Sequence, residues 1–143
     1  MDRYLVVANQ TLGGDPLLEQ VRARLEAGPC SFHILVPATP THEHAFYTEG
    51  EARAVAELRL EAALARFRAV GATVDGEIGD ANPLYSIEDV LRRGEFDGII
   101  LSTLPPGPSR WLRQDLPHRL ARVTDLPITH VVGSAEVPAA AAP

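Results

Sequence analysis

The sequence predicts an open α/β sheet of parallel strands with helices on both faces. Short apolar, β-rich runs alternate with amphipathic segments along the chain, the order that successive βαβ units impose. Helix ends are punctuated by proline and glycine in the positions those residues favour. The 143 residues suit one hydrophobic core, so one domain is expected over residues 1–133.

Five strands are expected, at residues 3–8, 31–36, 72–78, 97–102 and 127–132. The first helix starts where Asp15 stands as N-cap before Pro16; Leu17, Val21 and Leu25 share a face, and Gly28 offers a left-handed exit. The longest helix covers about residues 48–70, with Leu60, Leu64 and Phe67 on one stripe, Glu49 four residues before Arg53, and Gly71 as the stop. Asn82-Pro83 repeats the first start; Leu84, Ile87 and Leu91 form the buried stripe and Gly94 ends the helix. Asp75-Gly76 is the conflicting signal, since that pair also makes hairpin turns, but Thr73-Val74 is too short for a first arm. The stretch 134–143, mostly alanine and proline after Val137, has no apolar periodicity and is expected to be a disordered tail.

Composition removes several function classes. The net charge of -6 opposes nucleic-acid binding, which needs a basic surface to displace phosphate counterions. All 13 basic residues are arginine, so a P-loop lysine and Schiff-base chemistry are excluded. The longest apolar runs, such as 4–8 and 98–101, fall far short of a membrane span. The start Met1-Asp2-Arg3 leads directly into a strand without signal-peptide features, and Cys30 is a lone cysteine, which together predict a cytoplasmic protein.

Ligands of open α/β sheets bind beyond the C-terminal ends of the strands, where the strand order reverses. Two loops are therefore singled out, 9–14 and 103–114. Ser102 and Thr103 close the fourth strand and face the expected crevice as polar contacts or as structural hydroxyls. Ser109 follows Gly107-Pro108, but Trp111 stands where a nucleophile elbow needs glycine, so Ser109 is read as a cap or an anion contact. Arg110 and Arg113 suit an anion or simple solvation. Trp111, the only tryptophan, lies in a loop stiffened by Pro105, Pro106 and Pro108, and reads either as a rigid lid or as an aromatic plug for the crevice. His42-Glu43-His44 lacks the third ligand of a stable metal site. His33 and His130, inside apolar strands, are expected to be packed with one nitrogen satisfied, and Asp75 and Glu77 to line the solvent face of an edge strand.

The strand YLVVAN, the segment GEIGDANPLYSIEDVL, then DGIILST, a glycine-containing loop and LPITHVV together resemble a universal stress protein over residues 4–132. The resemblance implies five parallel strands in the order 3-2-1-4-5, a dimer and, in many members, bound ATP. ATP-binding members carry three glycines and a final serine or threonine after the fourth strand. Here Leu104 stands at the first glycine, Gly107 at the second, Gln114 at the third and Asp115 at the hydroxyl residue; Asn9 replaces the aspartate that often meets adenine. Asp115 before Leu116-Pro117 would N-cap the next helix, placing negative charge where phosphate should bind. The leading expectation is a non-catalytic, homodimeric binding or signalling module, paired through its last strand, with a nucleotide site weakened or lost. The alternative keeps ATP, AMP or another small anionic ligand on Asn9, Ser102, Thr103, Gly107, Ser109 and Arg110. A small hydrolase of phosphate esters is the third reading, although no nucleophile and base share a recognisable spacing.

Overall fold

The computed structural model describes residues 1–40 and 48–133. The chain runs β1 (Asp2–Val7), α1 (Asp15–Ala27), β2 (Cys30–Pro37), α2 (Glu49–Ala69), β3 (Thr73–Gly79), α3 (Pro83–Arg93), β4 (Gly98–Thr103), α4 (Arg110–Arg113), α5 (Leu116–Ala121) and β5 (Ile128–Val132). All strand pairs are parallel and the sheet order is β3-β2-β1-β4-β5. The expected tail at 134–143 and the His42-Glu43-His44 segment lie outside the described residues.

Strand alternation divides the core in two. Val6, Ala8, Phe32, Ile34 and Val74 face α1 and α2, where Leu17, Val21, Ala56, Leu60 and Phe67 meet them. Leu5, Val7, Leu35, Ile99 and Leu101 face the other way, onto Ile87 and Val90 of α3 and Leu116 and Leu120 of α5. The central strands β1 and β4 are thus apolar on both faces, as a covered parallel sheet requires.

Local signals behave largely as expected. The Thr48 hydroxyl accepts from the Glu51 amide at 3.1 Å, Asn82 accepts from the Tyr85 amide at 3.1 Å, and Gly71 turns at φ +94°. Asp75-Gly76 makes no hairpin, because β3 runs unbroken alongside β2 with Gly76 paired to Ile34. That glycine is required: a Cβ there would stand 2.7 Å from Leu60 Cδ1 and 2.8 Å from the Ile34 carbonyl.

The first helix departs from expectation at both ends. Gly14 occupies its N-cap and Asp15 lies inside the first turn with Pro16; the Asp15 carboxylate instead reaches Arg66 of α2 at 3.5 Å, while Arg66 also donates to the Gly13 carbonyl. Gly28 leaves the helix extended, at φ 159° and ψ 176°, so no left-handed exit forms. The next strand begins only two residues later, and an extended path feeds it directly.

Candidate functional site

A cleft opens at the C-terminal ends of β1 and β4, where the chain order of the sheet reverses. Asn9, Thr11, Thr39, Ser102, Thr103, Ser109, Arg110 and Trp111 line it, so five of the six residues singled out for ligand contact converge there. Gly107 does not line the cleft; it is exposed, with φ +99°, on the loop that leads into α4.

The cleft's polar groups are already engaged with one another. Asn9, 6% exposed, donates from Nδ2 to the carbonyls of Pro37 at 2.9 Å and Thr39 at 3.4 Å, and its Oδ1 accepts from Arg59 Nη1 at 2.8 Å. This single amide ties the end of β1 to the loop after β2 and to α2. Ser102 and Thr11 share a buried hydroxyl–hydroxyl bond of 2.5 Å. Ser109 caps α4, accepting from the Leu112 amide at 3.1 Å. Thr103 pairs through Oγ1 with His130 Nε2 at 2.8 Å, and burial pushes the His130 imidazole below its ordinary pKa. By atoms that is a hydroxyl beside a base, but among the described residues no carboxylate orients the ring, and Thr103 is itself buried.

Trp111 decides the shape of the cleft. The indole is 7% exposed and packs with Leu5, Val7, Leu35 and Leu116, and its Nε1 donates to Thr39 Oγ1 at 3.3 Å. Thr39 in turn donates to the Ala81 carbonyl at 2.6 Å, which joins the loops after β2 and β3 to α4. Arg110 reaches across the mouth to the Pro40 carbonyl at 3.3 Å. The free volume left is about 40 Å³, well below the several hundred Å³ of an ordinary small-molecule site.

Asp115 does not cap α5 as expected. Its backbone is left-handed, φ 57° and ψ 39°, because the chain must turn from the end of α4 into α5 within two residues, Gln114 and Asp115; no side-chain cap bond forms. The carboxylate pairs with His118 Nδ1 at 2.7 Å instead. A second correction concerns His33, whose two ring nitrogens are both engaged, with Asp75 and Glu77 at 2.7 Å each. The parallel register sets His33 beside Asp75 and Leu35 beside Glu77, so both carboxylates flank the ring rather than simply facing solvent. Burial alone would push the Glu77 carboxyl up, but hydrogen bonds from Arg93 and His33 outweigh it and hold the group below its ordinary value. None of these groups lines the cleft. Among the described residues no cluster of three or more His, Cys, Asp or Glu is placed to hold a metal.

Thr11 and Thr39 are the site residues that sequence reasoning missed. Thr11 lay within the loop 9–14, and Thr39 follows β2 as Asn9 follows β1; its position just past a strand C-terminus was the available signal.

No protein-family model matches the sequence, and neither does any curated protein. Solved structures do. A universal stress protein from Archaeoglobus fulgidus in complex with dAMP aligns with a TM-score of 0.59 at 16% identity, over 92% of this chain and 98% of that one. A universal stress protein in complex with cAMP aligns with a TM-score of 0.59 at 18% identity, over 93% and 98%.

The fold is that of the universal stress proteins. A 4-carboxy-2-hydroxymuconate hydratase from Pseudomonas putida also aligns, with a TM-score of 0.53 at 18% identity over 94% of this chain but 63% of the hydratase. These likenesses show the fold alone, and function has to be argued from the residues of the cleft.

Proposed function

We propose that this chain is a non-catalytic binding or signalling module on the universal stress protein fold, with a nucleotide site altered so that adenine nucleotides bind weakly or not at all. The observation that carries this reading is the buried Trp111 indole, which leaves about 40 Å³ free in the cleft. The loop after β4 supports it, since Gly107 is the one glycine of the related phosphate-binding pattern that has a counterpart here and the close backbone approach of the others is missing. The structures solved with cAMP and dAMP define the ligand class to test. Mass spectrometry of small molecules released from freshly purified protein, with calorimetric titration of ATP and AMP, should find no retained nucleotide and no saturable heat at micromolar concentrations. A stoichiometric nucleotide carried through purification would refute the reading.

Arg110 favours one alternative. It lines the cleft while exposed, and among the described residues its guanidinium makes one hydrogen bond, a long one to the neutral Pro40 carbonyl, so an AMP-like or other small anion meets a cation at the mouth. In either case a cytoplasmic homodimer joined along β5 fits the fold: β5 is a sheet edge whose Val132 is 48% exposed, and such edges are commonly covered. No helix of the described residues is long and apolar enough to cross a membrane.

A further inference from the structure

The arginines of this chain differ in how far they are engaged. In the sheet and in α1, α2 and α3, Arg22 apart, they are tied to partners: Arg24 donates to the Thr129 hydroxyl at 2.7 Å, Arg53 pairs with Glu57 at 3.6 Å, Arg68 donates to the Val74 carbonyl at 3.2 Å and Arg92 pairs with Asp89 at 3.8 Å. The stretch from α4 to the end of α5 is different. Arg113, Arg119 and Arg122 are exposed, and among the described residues their guanidinium groups make no hydrogen bond or ion pair. Asp115 is the one carboxylate of residues 110–122, and His118 already holds it at 2.7 Å. Leu116 and Leu120 are buried beneath α5, so His118, Arg119 and Arg122 stand together on its outward side.

Neighbouring cations on a helix repel one another, and a carboxylate from outside would offset that cost. Arginine suits the purpose, because its planar fork holds a carboxylate through two parallel hydrogen bonds. The chain as a whole carries a net charge of -6, so the basic patch is local. Glu88 and Asp89 lie on α3, which packs beside α5, and Asp125 follows α5. A duplex or an anionic bilayer would extend past the patch onto those carboxylates, whereas a short acidic segment would not. Past Arg122 the surface turns apolar. Val123 is 43% exposed and, with Leu91, Phe96 and Leu126, lines a hollow of about 570 Å³. Glu95 and Asp97 line the same hollow, which directs a partner's carboxylates over α5 and an apolar side chain over the hollow.

We propose that the outward side of α5, with Arg113 and Val123, is a docking surface for a segment of a partner protein in which a run of Asp or Glu adjoins a large apolar residue. Arg113, Arg119 and Arg122 take the carboxylates, and the hollow beside Val123 takes the apolar side chain. This rests on reading the chain as a binding module and gives that module a class of partner. None of the docking residues lines the cleft, so the surface works independently of any nucleotide there.

The test is fluorescence anisotropy with the full chain and a labelled peptide, a glutamate run followed by a pair of leucines, at low and at physiological ionic strength. Wild type should bind saturably, and more weakly as salt rises. Arg119→Gln/Arg122→Gln should weaken binding by about fivefold or more, the loss expected from two exposed charge pairs. Arg22→Gln/Arg53→Gln removes the same charge from α1 and α2, on the other face of the sheet, and should change it by less than about twofold. Val123→Ser should weaken the leucine-ended peptide and leave a plain glutamate run unaffected. Absence of saturable binding, or equal losses in the two arginine pairs, overturns the docking surface, and an unchanged affinity in Val123→Ser overturns the role of the hollow. Tighter binding of duplex DNA or of phosphatidylserine vesicles, lost in Arg119→Gln/Arg122→Gln, overturns the choice of a protein segment. Circular dichroism melts check that each variant folds; if Arg119→Gln/Arg122→Gln does not, Arg113→Gln/Arg122→Gln replaces it with the same criteria.

Discussion

Restoring the acidic residue at the end of β1 is the sharpest probe of how this cleft is held. In Asn9→Asp the Nδ2 donor disappears, and a carboxylate oxygen comes to stand 2.9 Å from the Pro37 carbonyl, where a hydrogen bond existed. At a site only 6% exposed the loss of that bond costs about 1–3 kcal/mol, and the facing oxygens add repulsion. Against this, the 2.8 Å bond from Arg59 to Oδ1 becomes charge-assisted and gains about 1 kcal/mol. The donor loss wins, for a net destabilisation of about 2 kcal/mol, or roughly 6–8 °C in Tm for a chain of this size. Thermal and urea unfolding followed by circular dichroism at pH 7 measures it, and a double-mutant cycle with Arg59→Ala isolates the compensating term. If Asn9→Asp is as stable as wild type or more so, the Arg59 pairing dominates and the reasoning fails.

Gly79→Ala should cost about 1–3 kcal/mol, because a Cβ there meets Ser86 Cβ at 2.7 Å and Leu35 Cδ1 at 2.8 Å; an unchanged Tm by calorimetry would contradict the close approach of α3 to β3. Acid should destabilise the fold through two groups whose folded pKa values are depressed. Glu77 contributes stability above its unfolded carboxyl pKa that is lost as pH falls through its folded value, and His130, whose partial desolvation lowers its folded pKa, contributes above its unfolded imidazole pKa and loses it likewise. Urea midpoints from pH 7.5 downward should therefore fall less steeply in Glu77→Gln and His130→Gln; parallel slopes in all three proteins would count against both assignments. Asp115→Ser should change AMP affinity by less than about twofold, since the carboxylate is paired with His118 and makes no cap bond to the α5 amides; a large, salt-sensitive gain in titration would show that its charge guards the site after all. Val132→Asp should shift a β5-paired dimer to monomer in light scattering, and a monomeric wild type at micromolar concentration would refute the edge pairing.

The elements that were legible in the sequence are those fixed by near neighbours. Asn82-Pro83 with Gly94 marked α3 within a residue, and Thr48 with Gly71 marked α2, because capping bonds span three or four positions and the apolar stripe repeats every turn. The start of α1 was misread for a related reason in reverse: Asp15 is a good N-cap locally, yet its carboxylate is drawn to Arg66, fifty-one positions away. Asp115 likewise has the composition of a cap, and only the turn from α4 to α5 puts it in a left-handed conformation that aims its side chain elsewhere. His33 was placed correctly in a strand, but its two carboxylate partners come from β3, across a register that no local pattern specifies.

By itself the sequence determined the alternation of strands and helices, the apolar faces that bury the sheet, and the loops at which a ligand would arrive. Those follow from periods of two and 3.6 residues and from the φ preferences of glycine and proline. Only the tertiary structure decided what the cleft's polar atoms are already doing. Asn9 meets Pro37 and Arg59 across separations of 28 and 50 residues, and Trp111 meets Thr39 across 72. Whether an amide or a hydroxyl is free for a ligand depends on such distant partners, because a buried polar group must be satisfied by whatever the fold brings within hydrogen-bonding reach.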